Sequence, residues 1–279
     1  IGDKMKNVLI IQDISSFGKC STTVALPIIS ACGVTGSILP TSLLSTHTGS
    51  EFPGFTFLDL FDNMQATLDH WKTLGIKFDA VYTGYLGMKE HVDLILDNLS
   101  DLLKEDALFF VDPAFADNGV LYSGFDEEYV QAMLRLCQSA DYVLPNLSEA
   151  CFLLDLDYCN FDPACPDHVK KAQEGLQEAG AKNVIITGVR QEDQIGASLL
   201  KENGETFLSL KDYLPQSFHG TGDVFTSVFV GKYLQKGSIE AGLDAAVDFV
   251  PEAIRQTLND EDAITYGVHF EKCLHLLMQ

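Results

Sequence analysis

Apolar positions along this chain fall into two alternating kinds of run. Short, continuous, β-branched stretches predict strands at Val8–Gln12, Ala80–Thr83, Leu108–Asp112, Tyr142–Pro145, Val184–Thr187, Ile195–Leu200 and Thr206–Leu210. Between them the apolar residues recur at helical spacing. Thr56–Leu74 puts Phe57, Leu60, Phe61, Met64, Leu68 and Trp71 on one stripe and stops at Gly75, which predicts a helix over that span. His91–Lys104, Tyr129–Gln138 and Val169–Glu178 read as helices in the same way. Strands that are apolar throughout, separated by helices, predict a mostly parallel central sheet flanked by helices on both faces, a three-layer α/β/α fold.

The last third has a different rhythm. Lys201–Gly204 joins two strands as a hairpin turn, and two helices follow at Asp223–Leu234 and Ile239–Thr257, with a kink expected at Pro251. No linker, repeat or low-complexity stretch interrupts the pattern, so residues 5–279 are expected to form a single domain. Ile1–Lys4, ahead of Met5, read as an expression remnant.

Composition narrows the function. A formal net charge of −22 argues against nucleic acid as a partner, because phosphate backbones call for clustered Lys and Arg. It also means that any phosphate site must rest largely on backbone N–H groups. No apolar run approaches a membrane span and no leader pattern is present, so a cytoplasmic protein is expected. The seven cysteines form no C-x-x-C pair, which points away from disulfides and zinc; most read as small buried hydrophobes, and Cys20, beside Lys19, is the one whose reactivity merits a test.

In open α/β sheets, ligands bind beyond the carboxyl ends of the strands. Those ends here carry Gln12-Asp13, Thr83-Gly84-Tyr85, Asp112-Pro113, Pro145-Asn146 and Thr187-Gly188. The strongest local signal is His219-Gly220-Thr221-Gly222-Asp223, which runs straight into an apolar stretch that reads as a buried helix. Two glycines permit a tight turn, the first N–H groups of the helix form an anion site, and Asp223 can accept a proton from a hydroxyl attacking phosphorus. The same residues would also serve as a plain helix start with Asp223 as a cap. Asn146 and Glu149 can orient a hydrated Mg²⁺ and its phosphates, or form a capping box. Asp112 opens a loop containing Asp117, which suits a metal-facing carboxylate beside a lid, or an ordinary turn. Residues 12–19 read as a loop of an acid, two hydroxyls and an aromatic ring, suited to a small polar ring compound or simply to solvent. They match neither a P-loop nor a dinucleotide fingerprint.

Taken in order, Ile11-Gln12 with Phe17-Gly18, Ser45-Thr46-His47-Thr48, Thr83-Gly84-Tyr85-Leu86-Gly87, Val111-Asp112-Pro113, Pro145-Asn146-Leu147-Ser148-Glu149 and Gly220-Thr221-Gly222-Asp223 resemble the ribokinase-like (PfkB) superfamily, and within it the pyridoxal kinase branch. The resemblance runs from Val8 to about Thr257. It implies transfer of the γ-phosphoryl group of ATP to the hydroxymethyl group of pyridoxal, pyridoxamine or pyridoxine. Asp223 would be the base, and the N–H groups of Gly220, Thr221 and Gly222 would hold the transferring group. Asp117, Asn146, Glu149, Thr187, Gly188 and Thr221 would serve ATP, Asp112 and Glu149 the metal, and Asp13, His47, Thr48 and Tyr85 the vitamin. Lys19 or Lys211 would help neutralise the phosphates. The resemblance further implies a homodimer and a monovalent cation such as K⁺.

Two departures stand out. Asp13 occupies a position where related kinases often carry Ser, and Leu144 one where a relative can carry a hydroxyl near the alkali ion. The competing readings are a hydroxymethylpyrimidine kinase, which acts on a similar heteroaromatic methanol, and a non-catalytic vitamer-binding protein. The intact Gly220–Asp223 turn weighs against the latter, since a binder needs no base beside an anion site.

Overall fold

The computed structural model describes residues 5–49, 52–260 and 266–278; Ile1–Lys4, expected to be an expression remnant, lie outside them. In chain order the elements are β1 (Asn7–Phe17), α1 (Thr22–Ala31), β2 (Thr35–Thr46), β3 (Phe57–Asp59), α2 (Phe61–Thr73), β4 (Phe78–Thr83) and α3 (Lys89–Leu102). They continue with β5 (Leu103–Val111), β6 (Ala116–Asp117), β7 (Val120–Leu121), α4 (Glu127–Ser139), β8 (Tyr142–Val143), α5 (Leu147–Leu153) and α6 (Pro166–Glu178). The last are β9 (Asn183–Gln191), β10 (Gln194–Leu200), β11 (Thr206–Asp212), α7 (Thr221–Lys236) and α8 (Ile239–Leu258), followed by a 3-10 helix at Phe270–Leu276.

The sheet order is β11-β10-β9-β8-β5-β4-β1-β2-β3. The pairs β1–β2, β5–β8 and β8–β9 are parallel, while β3, β10 and β11 join in antiparallel fashion. This is the mostly parallel ribokinase-like α/β/α fold. Two compact units divide the chain: Ile1–Tyr82 with Asp101–Ala107 and Leu214–Gln279, and Thr83–Ser100 with Leu108–Tyr213.

In the first unit, Val8, Leu9, Ile10 and Ile11 of β1 are fully enclosed, as a strand covered on both faces requires. The β1–β2 register shifts between Gln12 and Ile14, which places Asp13 at an irregularity where pairing breaks. Helix α7 has little polar face: residues Val224 to Lys232 are all buried. A helix apolar all round must sit inside the fold. Its Gly231 lies against α1, where an added Cβ would come 2.7 Å from Cys32 Sγ.

Several expectations are corrected. Residues 13–17 are not loop but continue β1 to Phe17. The helix expected over Thr56–Leu74 begins only at Phe61, because Phe57–Asp59 pairs with β2 through Leu44↔Phe57 and Ser42↔Asp59. Of the expected stripe, only Met64 and Leu68 are buried. Cross-strand pairing outweighed the helical spacing. The Lys201–Gly204 hairpin is as expected, with Leu200 opposite Thr206 and Gly204 at φ 84°. Helix α8 runs through Pro251 as one element.

In the second unit, Gly196 of β10 sits so close to β11 that a Cβ would lie 1.9 Å from the Ser209 carbonyl oxygen. Gly196→Ala should therefore lower stability by roughly 1–3 kcal/mol, read as a drop of several degrees in a thermal melt. An unchanged midpoint would mean that the two strands are free to part at this point.

Candidate active site

The first unit holds a turn, a carboxylate and several buried polar side chains. Gly220 adopts φ 75°, left-handed, and caps α7 without any side chain. The conformation is one requirement for glycine; space is another. A Cβ at Gly220 would lie 1.9 Å from the Lys19 carbonyl oxygen, which is backbone and cannot swing aside. Thr221 Oγ1 donates to Phe218 O at 3.2 Å and closes the turn. The N–H groups of the first turn of α7 have no partner one turn earlier, and the helix dipole adds positive potential there. Asp223 is the acidic residue of that turn, half-buried.

Asp13 lies close by. Burial raises its pKa, while hydrogen bonds from Ser21 and Ser15 pull it back down. Ser15 Oγ donates to Asp13 Oδ2 at 2.8 Å. Cys20 joins the two carboxylates electrostatically: burial first, then Asp223 and Asp13, push its thiol well above the usual range. A thiol held protonated is a poor nucleophile, which weighs against reactivity at Cys20. Ser21, which bonds Asp13, is held at φ 49°, an uncommon conformation for a side-chain-bearing residue. Ser21 was not singled out from the sequence. Ser15 was legible once β1 is taken through Phe17, since residues 13 and 15 of a strand share a face.

His47 is buried after β2, with Nδ1 accepting from Gly49 N at 3.0 Å. Its ring centre lies 4.9 Å from that of His219 and 4.9 Å from that of Phe52, so the turn and the segment after β2 are joined through aromatic contacts. Thr48 is half-buried beside it.

The second unit holds the other predicted residues. Asn146 and Glu149 form a full capping box on α5: Asn146 Oδ1 accepts from Glu149 N at 2.9 Å and Glu149 Oε2 accepts from Asn146 N at 2.9 Å. Glu149 Oε1 also accepts from Phe115 N at 3.0 Å, and Asn146 Nδ2 donates to Ala116 O at 2.8 Å. Glu149 is thereby locked against the loop after β5. Burial, then the neighbouring charge of Asp112, raise its pKa well above the ordinary value. Asp117 is exposed on the β6–β7 ribbon, where its carboxylate accepts from Asn118 N at 2.9 Å. Thr187 bridges to Asn146, its N–H donating to Pro145 O at 3.0 Å, and Gly188 follows at φ 72°. Tyr85 packs on Phe125 at 5.3 Å. Leu144 is buried and offers no side-chain oxygen. Among the described residues, no group of three or more His, Cys, Asp or Glu side chains is gathered as a ready metal site, and no helix is long and apolar enough to cross a membrane.

The raised Glu149 pKa has a consequence for stability. From about pH 4.5 upward the unfolded chain has released this proton while the folded chain keeps it, so stability declines as pH rises until the folded group ionises. Glu149→Gln removes that dependence. It should also cost roughly 1–3 kcal/mol through the lost acceptor for Asn146 N–H. Urea denaturation between about pH 5 and pH 7 should therefore show a large deficit for the variant that shrinks as pH rises. A deficit independent of pH would show that Glu149 is ionised in the folded protein.

The chain is similar to known proteins in sequence and in fold. The chain matches the phosphomethylpyrimidine kinase family over residues 28–266. A crystal structure from Bacteroides thetaiotaomicron, solved with pyridoxal and provisionally described as a phosphomethylpyrimidine kinase, superposes with a TM-score of 0.91 at 37% identity, covering 99% of this chain and 96% of that one. The pyridoxal kinase of Arabidopsis thaliana is 30% identical over 77% of this chain and 68% of its own length. The hydroxymethylpyrimidine/phosphomethylpyrimidine kinase of Aquifex aeolicus is 23% identical over 81% of this chain and 85% of its own. With the glycine turn, the first-turn carboxylate and the fold all in place, the chain belongs to the phosphomethylpyrimidine kinase family, whose matched relatives include pyridoxal kinases.

Proposed function

We propose that this kinase transfers the γ-phosphoryl group of ATP to the hydroxymethyl group of pyridoxal, pyridoxamine or pyridoxine. The observation that carries the proposal is the left-handed Gly220 heading a buried helix, with Asp223 in its first turn and the buried Asp13 acting with it on Cys20. As the substrate oxygen attacks phosphorus, Asp223 takes its proton and the bond to the ADP leaving oxygen breaks. The N–H groups at Gly220, Thr221, Gly222 and Asp223 meet the negative charge on the transferring group. Phosphoryl transfer needs chiefly alignment and charge neutralisation, and a helix end can supply much of the latter in an acidic protein.

The second unit is assigned the metal and the nucleotide. Mg²⁺ fits the acidic pair: Asp112 already raises the pKa of Glu149, and a dication beside Asp112 relieves that repulsion. Both Glu149 oxygens hold backbone N–H groups, which suits Glu149 to fixing the loop after β5 and to meeting the ion through water. Asp117, Asn146, Thr187 and Gly188 are assigned to the nucleotide. When bound, the metal neutralises charge on the bridging phosphates.

Asp13 is assigned to the heteroaromatic ring. A carboxyl whose burial favours the neutral acid can share a proton with a pyridine nitrogen, a contact that Ser15 and Ser21 pre-orient. Support for a pyridine substrate comes from the 37%-identical relative solved with pyridoxal and from the Arabidopsis pyridoxal kinase. Hydroxymethylpyrimidine is the second reading, favoured by the family description itself and by the Aquifex relative.

ADP release should be measured with Mg-ATP and pyridoxal, pyridoxamine, pyridoxine and hydroxymethylpyrimidine in parallel. Turnover of hydroxymethylpyrimidine alone would replace the first reading by the second, and no turnover of any would remove both. Asp223→Asn should lower kcat by on the order of 10²–10⁴ while ADP affinity is retained. Asp13→Ser should raise KM for the preferred ring substrate roughly ten- to hundredfold and leave KM for ATP unchanged; an unaltered KM for every ring compound would sink the role of Asp13.

A further inference from the structure

The loop behind the glycine turn is fastened to a distant part of the same unit. Lys19 N donates to Tyr266 O at 3.3 Å, and Lys19 Nζ donates to Glu271 Oε2 at 2.6 Å. The same ammonium lies 5.6 Å over the ring of Phe270. Gly267 is packed so closely on the Lys19 stem that an added Cβ would come 2.4 Å from Lys19 Cβ. Two residues further back, the Phe17 and Tyr266 rings are 4.9 Å apart. Four different kinds of contact thus converge on one residue from segment 266–271.

That segment is firmly anchored. Val268, Phe270, Cys273 and Leu277 are buried, His269 N donates to Thr257 Oγ1 at 2.7 Å, and the buried Lys232 Nζ donates to Leu277 O at 2.7 Å. On its other side, Lys19 presents the carbonyl oxygen that leaves no room for a Cβ at Gly220. From the sequence, Lys19 or Lys211 is expected to help neutralise the phosphates. In the structure the charge of Lys19 is already engaged by Glu271 and Phe270.

We propose that Lys19 is a positioning residue. Held by segment 266–271 through Glu271, it sets the backbone against which Gly220 takes its left-handed turn, and so fixes the direction of the N–H groups at the head of α7. The role rests on the reading of Gly220–Asp223 as the phosphoryl-transfer turn. The chemistry needs those N–H groups aligned with the transferring phosphorus, and small displacements of positioned groups cost large factors in rate.

The test uses the full chain with Glu271→Gln, Lys19→Met and the charge-swapped double variant Lys19→Glu/Glu271→Lys. The ion pair has one exposed partner, Glu271 with 51% of its side chain accessible, so the variants are expected to fold. Amide hydrogen exchange over residues 219–223, measured without substrate, should speed up severalfold in both single variants and return towards the parent rate in the swap. In parallel, kcat should fall roughly three- to tenfold in the single variants with KM for ATP within about twofold, and recover in the swap. If Lys19→Met raises KM for ATP while Glu271→Gln changes nothing, Lys19 meets phosphate directly and the positioning role is overturned. Unchanged exchange in both single variants, or a swap that restores neither property, overturns it as well. The exchange result does not depend on turnover, so failure of the kinase reading, seen as undiminished activity in Asp223→Asn, is separable from failure of this one.

Discussion

A backbone carbonyl pressed against a glycine is the contact on which this site depends. The Lys19 oxygen occupies the space where any side chain at residue 220 would begin, and Gly220 turns left-handed beneath it. Neither partner can relax by rotating a side chain, since both are main chain. The direction in which α7 presents its first N–H groups is therefore set by where β1 delivers the chain after Phe17. The burial of α7 along Val224 to Lys232 then holds the helix axis in place from the other end. Carboxylate and amides share one rigid frame, which is what electrostatic preorganisation requires.

The acidity of the chain gives this frame its importance. With a net charge of −22, a phosphate approaches against an unfavourable background field. Cationic side chains are scarce and several are already paired, Lys19 with Glu271 and Lys182 with Asp141 among them. Backbone dipoles cannot be neutralised by acidic neighbours in the way that a lysine can. The buried carboxyls follow the same logic from the opposite side. Asp13 and Glu149 both have raised pKa values, so burial moves them towards the neutral acid and lessens the local negative charge. Cys20, between Asp13 and Asp223, is kept as a thiol for the same reason and adds no further charge.

The sequence made the fold class legible because strands such as Val8–Ile11 and Val184–Ile186 are buried on both faces and so read as unbroken apolar runs. What escaped was made of residues whose local preferences oppose their final state. Helix α1 carries Pro27 in its interior and two threonines at its start. Strand β2 mixes Gly36, Pro40 and several hydroxyl residues, and is half-buried rather than core throughout. Neither produces a periodic signal. The stretch at Phe57–Asp59 carries a helical stripe and forms a strand because β2 offers an edge to pair with. Similarly, Asp13 to Phe17 reads as loop because the apolar run stops at Ile11, although the strand continues with Asp13 and Ser15 buried.

The site shows the same division. Glycines, first-turn acids and caps announce themselves in sequence because their chemistry is local: Gly220 with Asp223, and Asn146 with Glu149, are each within a few residues. Contacts between distant segments leave no such trace. The pressure of Lys19 on Gly220, the Ser21 bond to Asp13 and the Asp112 charge beside Glu149 arise only when the chain closes. This bears on the choice between a pyridine and a pyrimidine alcohol. On the proposed reading both would present a hydroxymethyl group to the same turn and the same carboxylate, so the local motifs do not separate them. On the proposed reading, discrimination comes from groups that meet the ring, and in the first unit that part is assigned to the buried acid at position 13 with its two serine hydroxyls. A neutral or proton-sharing carboxyl distinguishes ring nitrogens by their basicity, and pyridine nitrogen is the more basic. The kinase family thus rests on the matched family model and relatives, whereas on the proposed reading the choice of ring would rest on the long-range packing that buries Asp13.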